Sequence, residues 1–169
     1  GVAGLVTPYI RSWRPSARAR AAGAPITVDL TQIAEGSMTV EEWRGKPIYI
    51  VRRSGSMLSA LGKLTEELRD PRSESDQQPE YARNTNRSIR PEVLVVEGIC
   101  THLGCAPKYR APKEDSDFSG FFCPCHGSKF DFAGRVYKGV PAPANLQIPP
   151  HYYASETTLI VGVEGEEAA

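Results

Sequence analysis

All four cysteines and two of the three histidines fall into two six-residue segments, Cys100-Thr101-His102-Leu103-Gly104-Cys105 and Cys123-Pro124-Cys125-His126-Gly127-Ser128. Such a chain must fold so that the segments meet. A Cys and a His two apart on one loop, and a Cys and a His three apart on another, can present two thiolates and two imidazoles around a common centre. A structural zinc site needs only four ligands, typically four thiolates or two thiolates with two imidazoles. Here six candidates are present, so two cysteines are surplus. A 2Fe-2S centre in which two histidines replace two cysteines on one iron takes one Cys and one His from each segment.

The rest of the chain bounds the fold around these segments. At 169 residues it is long enough for one domain with a real core and a small inserted subdomain. With 15 Gly, 14 Pro and 8% aromatic residues, short strands and turns are favoured over long helices, and an all-β fold is expected. Lys+Arg and Asp+Glu both number 20, so no overall field attracts nucleic acid, which is not expected as a partner.

Strand-type runs are predicted over Ile26–Leu30, Met38–Trp43, Pro47–Val51, Glu92–Ile99 and Thr158–Val163. Met57, Leu58, Leu61, Leu64 and Leu68 share one helical face, which predicts an inserted amphipathic helix over Ser56–Leu68 with Ser54 or Ser56 as N-cap. Residues 69–90, polar and interrupted by Pro71 and Pro79, read as an ordered surface loop or a partly mobile excursion, without assigned chemistry. His151 stands outside both segments and reads as a surface or packing residue. Residues 1–11 are mostly apolar but fall short of the ~20 needed to span a bilayer, and are read as the end of an N-terminal transmembrane anchor. Residues 12–25, small, basic and without a period, suit a flexible tether, and 26–169 form the head. A cluster-binding subdomain is expected over about 98–145 of that head.

The two segments resemble the quinol-oxidising branch of the Rieske iron-sulfur family, whose pattern is C-x-H-x-G-C followed by C-x-C-H-x-S. Every defined position matches. The resemblance implies that Cys100, His102, Cys123 and His126 ligate a Rieske-type 2Fe-2S cluster, one per chain, and that Cys105 and Cys125 form the family's disulfide. Ser128 is implied to donate a hydrogen bond to the cluster. Gly139-Val140-Pro141-Ala142-Pro143 looks like the family's proline-rich loop, which covers the cluster from a third side. One departure is visible. The family's commonest pattern has a Tyr two residues after the Ser, where this chain has Phe130.

The implied fold is a Rieske-type antiparallel β sandwich carrying a small cluster-binding subdomain. The implied function is one-electron transfer as a subunit of a quinol–cytochrome c oxidoreductase, oxidising quinol at a cytochrome b subunit and passing the electron to a c-type cytochrome. His126 would hydrogen-bond the quinol and take its proton, while Leu103, at the docking tip, would touch a partner. The resemblance also implies a dimeric complex in the bacterial inner membrane, with the head on the periplasmic side. Two alternatives stand beside it: the Rieske small subunit of another periplasmic oxidoreductase such as arsenite oxidase, and a structural zinc-binding module.

Overall fold

The computed structural model describes residues 23–112 and 118–165. Among the described residues, nine strands form three antiparallel three-stranded sheets. They are β1 (Ile26–Asp29), β2 (Met38–Trp43), β3 (Lys46–Arg52), β4 (Val93–Glu97), β5 (Lys108–Arg110), β6 (Gly120–Phe122), β7 (Lys129–Phe130), β8 (His151–Tyr153) and β9 (Thr158–Val161). The sheet orders are β1-β9-β8, β2-β3-β4 and β5-β6-β7. Among the described residues no helix is long and apolar enough to cross a membrane. Residues 1–11, read as an anchor, and most of the 12–25 tether lie outside the described residues.

Strands β3 and β4 are buried on both faces, because they alternate two apolar sets instead of apolar with polar. Ile48, Ile50, Val93 and Val95 pack with Val28, Leu159 and Val161 of the β1-β9-β8 sheet. Tyr49, Val51, Leu94 and Val96 pack on the opposite side with Phe121, Phe130 and Phe132. Tyr49, between Ile48 and Ile50, is 6% exposed, and its hydroxyl donates to the carbonyl of Pro107 at 3.0 Å. The aromatic ring is thereby both core and tie.

The predicted helix is present but shorter. Helix α1 spans Gly55–Leu61, capped by Ser54, whose Oγ accepts from the Met57 N–H at 3.3 Å. At Gly62 the chain tightens into a 3-10 segment through Glu67, so Leu64 and Leu68 do not continue one α-helical face. Glycine weakens a helix interior by about 1 kcal/mol relative to Ala.

The reading of 69–90 as a surface loop is corrected. Ser73, Gln78, Ala82 and Arg87 within it are buried, and Arg87 is 0% exposed. The segment wraps back over the turn after β7, where Arg87 donates to the carbonyls of Ala133, Gly134 and Leu146 at 3.1, 3.2 and 2.6 Å. Its polar composition hides a structural role, because what Arg87 satisfies is backbone remote in sequence.

Candidate metal centre

Both Cys/His segments are loops between strands of the β5-β6-β7 sheet or leading into it. The first leaves β4 and the second joins β6 to β7. Their backbones repeat one design. Cys100 N–H donates to the carbonyl of Cys105 and Gly104 N–H to that of Cys100, at 2.8 and 2.9 Å. In the second loop, Cys123 N–H donates to Ser128 and Gly127 N–H to Cys123, at 2.8 and 3.0 Å. Gly104 and Gly127 take φ values of +82° and +78°, the left-handed conformation that closes each loop and that side chains disfavour. The glycine that each loop of this chain carries is thus a backbone requirement.

These loops bring the expected residues to one end of the molecule. The rings of His102 and His126 lie 4.8 Å apart, edge to face at 87°. Cys100 and Cys123 are free thiols, each 2% exposed. Cys105 and Cys125 form a disulfide with Cα atoms 6.6 Å apart. The Cys123 sulfur lies within 4.8 Å of both disulfide sulfurs, so the bridge abuts the thiol pair. Because a disulfide sulfur offers no thiolate, Cys105 and Cys125 complete no metal site with Cys123. His126 is exposed, His102 half-buried, and Leu103 stands between the loops and solvent at 70% exposure. The sequence relatives of this arrangement are close.

An iron-sulfur subunit of ubiquinol-cytochrome c reductase from Allochromatium vinosum is 50% identical over 96% of this chain and 81% of its own length. The chain belongs to the Rieske iron-sulfur family. The Rieske [2Fe-2S] domain matches residues 73–150. The corresponding subunit of Bradyrhizobium diazoefficiens is 44% identical over 96% of this chain and 85% of its own. A chain of a hyperthermophilic respiratory Complex III superposes with a TM-score of 0.57 at 26% identity, covering 94% of this chain and 91% of that one.

The cofactor of a Rieske domain is a 2Fe-2S cluster, and the donor set fits it. Nδ1 of His102 is buried without a hydrogen-bond partner, which costs free energy unless something coordinates it. Burial raises the Cys100 thiol above its ordinary value. The His102 backbone N–H opposes that rise, and the Cys123 thiol adds to it. Two adjoining buried thiols and an unpartnered imidazole nitrogen are what a metal centre resolves, since coordination deprotonates a thiol outright.

Polar residues that sequence reasoning missed brace the turn after β7, which follows the second loop. Asp131, 1% exposed, accepts from the backbone N–H groups of Ala133 and Arg135, each at 2.9 Å, and pairs with the Arg135 guanidinium at 2.7 Å. Arg135 reaches on to the carbonyls of Leu61 and Pro71, and Arg53 to that of Phe132. Of the three buried guanidiniums here, Arg135 pairs with the Asp131 carboxylate, while Arg53 and Arg87 feel its charge and bond nearby carbonyls. Burial, opposed by Asp131, pushes Arg87 down to about 9 and Arg53 to about 10, so both stay cationic at neutral pH. The only signal in the sequence was the Asp131–Arg135 spacing, which in a turn carries no pattern.

Proposed function

We propose that this chain is the electron-transfer subunit of a membrane quinol–cytochrome c oxidoreductase, with Cys100 and Cys123 supplying two thiolates and His102 and His126 two imidazoles to its cluster. The observation that carries this reading is an exposed imidazole, His126, beside thiols that are 2% exposed. A structural zinc site has no use for an exposed ligand ring, whereas a carrier must offer an edge to its substrate.

When bound, the 2Fe-2S group supplies a one-electron acceptor whose potential, with histidine ligands, lies at about −150 to +300 mV. The protein's residues do the rest. Cys100 and Cys123 keep the sulfur side dry, since both lie inside the core formed with Phe121 and Phe130. His126, through the ring nitrogen that does not ligate, accepts the hydrogen bond of a quinol hydroxyl and takes its proton. Leu103 gives the docking tip an apolar contact with the cytochrome b subunit. The Cys105–Cys125 bridge holds the loops in register as the head moves on to a c-type cytochrome. Residues 1–11 anchor the protein, residues 12–25 tether it, and the head faces the periplasm of a bacterial inner membrane.

Visible absorption of the purified protein, and the low-field paramagnetic signal of a His-ligated cluster on reduction, test the cofactor. Quinol-dependent cytochrome c reduction by membranes carrying the parent or His126→Ala tests the role. The proposal requires loss of turnover with the subunit still incorporated, and full turnover in the variant overturns it.

A further inference from the structure

The stretch from Gly139 to Ala144 crosses both loops, and its hydrogen-bond polarity is opposite on the two. Thr101 Oγ1, in the first loop, donates to the carbonyl of Ala144 at 2.6 Å. In the second, the Ala142 N–H donates to Ser128 Oγ at 3.0 Å. Ser128 and Ala142 are both 0% exposed, so water does not substitute for either partner. Pro141 and Pro143 have no N–H, and Ala142 is therefore the one backbone donor from Pro141 to Pro143.

A serine hydroxyl carries one hydrogen and two lone pairs. With the Ala142 N–H on one lone pair, the hydroxyl hydrogen is confined to the remaining tetrahedral directions. A buried hydroxyl hydrogen needs an acceptor, and Ser128 acts to lower the Cys100 thiol, as a hydroxyl donating toward that sulfur does. The rotor is then set from outside the loop that bears it.

We infer that Ala142 is a positioning residue for electron uptake: its amide fixes the Ser128 hydroxyl so that the hydrogen points to the sulfur side of the centre. This rests on the ligand set proposed above. A hydrogen bond aimed at sulfur favours the reduced, more negative cluster and so raises the potential. If the proline-rich stretch were only a cover, removing this amide would alter stability alone.

Film voltammetry of the holoprotein at one pH separates the two. Ser128→Ala is expected to weaken electron binding about tenfold, read as about 59 mV downward in a one-electron couple. Ala142→Pro, which deletes the donor, is expected to shift the potential in the same direction. Ala142→Gly, which keeps it, matches the parent, and Ser128→Ala/Ala142→Pro falls no further than Ser128→Ala. An Ala142→Pro protein at the parental potential, or additive shifts in the double variant, overturns the inference. If Ala142→Pro does not retain its cluster, amide exchange decides: the Ala142 amide should exchange at least tenfold faster in Ser128→Ala than in the parent, and equal rates overturn the inference. A parent without the His-ligated signal would refute the ligand set instead, and the exchange comparison still judges the Ala142–Ser128 bond.

Discussion

Phe130 and Phe121 face each other across the β6–β7 pair, both 0% exposed. Where the Rieske pattern most often has a tyrosine hydroxyl aimed at a ligand sulfur, this protein therefore has only hydrocarbon against its core. Phe130→Tyr should add a donor that strengthens on reduction. If that bond gains about 0.5 to 1.5 kcal/mol, the potential rises by roughly 20 to 65 mV, at about 59 mV per 1.4 kcal/mol. Voltammetry of parent and variant at one pH measures it, and a lower potential in Phe130→Tyr contradicts the hydrogen-bond account.

Opening the Cys105–Cys125 bridge should loosen the cluster loops before the fold. The closed loop spans 20 residues, for which the chain-entropy model gives about 3 kcal/mol. In Cys105→Ser/Cys125→Ser the visible absorption should be lost on heating well below the parent's transition, while the far-ultraviolet signal of the sheets persists. Coincident loss of the two signals would show that the bridge supports the whole domain equally.

Arg87→Leu should destabilise the head strongly. The substitution leaves the carbonyls of Ala133 and Leu146 without their buried donor, while that of Gly134 keeps the Leu146 N–H, and one unsatisfied buried group costs about 1–3 kcal/mol. A loss of about 3 kcal/mol or more is expected from urea unfolding. Arg87→Lys should restore only part of it, because an ammonium cannot reproduce the planar fork. Full rescue by Lys would mean that charge, not geometry, is what the site requires.

His151 should make the protein acid-sensitive. It is 0% exposed, edge-on to Tyr81, with Nδ1 against the Pro149 carbonyl at 2.9 Å. Burial pushes its pKa down to about 4 from 6.5. The unfolded chain takes up this proton below about pH 6.5, and the folded protein only near 4. The stabilisation is therefore complete above pH 6.5 and lost as pH falls toward 4, by about 3 kcal/mol in total. Unfolding midpoints between pH 7 and 4.5 should slope less in His151→Phe than in the parent, and parallel slopes would reject the assignment.

The candidate site was legible in the sequence because its chemistry is local: each loop carries its Cys, His and closing Gly within six residues. Strand β2 was read at its true ends for a similar reason, a short β-type run around Met38, Val40 and Trp43 bounded by Ser37 and the Arg44–Gly45 turn. Strands β5 to β8 escaped because runs of two or three residues have no measurable period. Arg53 and Arg87 escaped because an arginine is buried only when distant carbonyls fold around it. The role of Ala142 escaped because it lies in a backbone N–H whose acceptor, Ser128 Oγ, is 14 residues away.

Gly98, two residues before Cys100, has the Tyr49 ring where any β-carbon would stand, and the Tyr49 hydroxyl in turn holds Pro107 just past the first loop. Among all side chains only a hydrogen atom fits there. The approach to the metal-binding loop is consequently a position without synonyms: in a saturation library selected for cluster incorporation, every codon at 98 other than those for glycine should vanish, although the residue touches no ligand and bears no chemistry of its own.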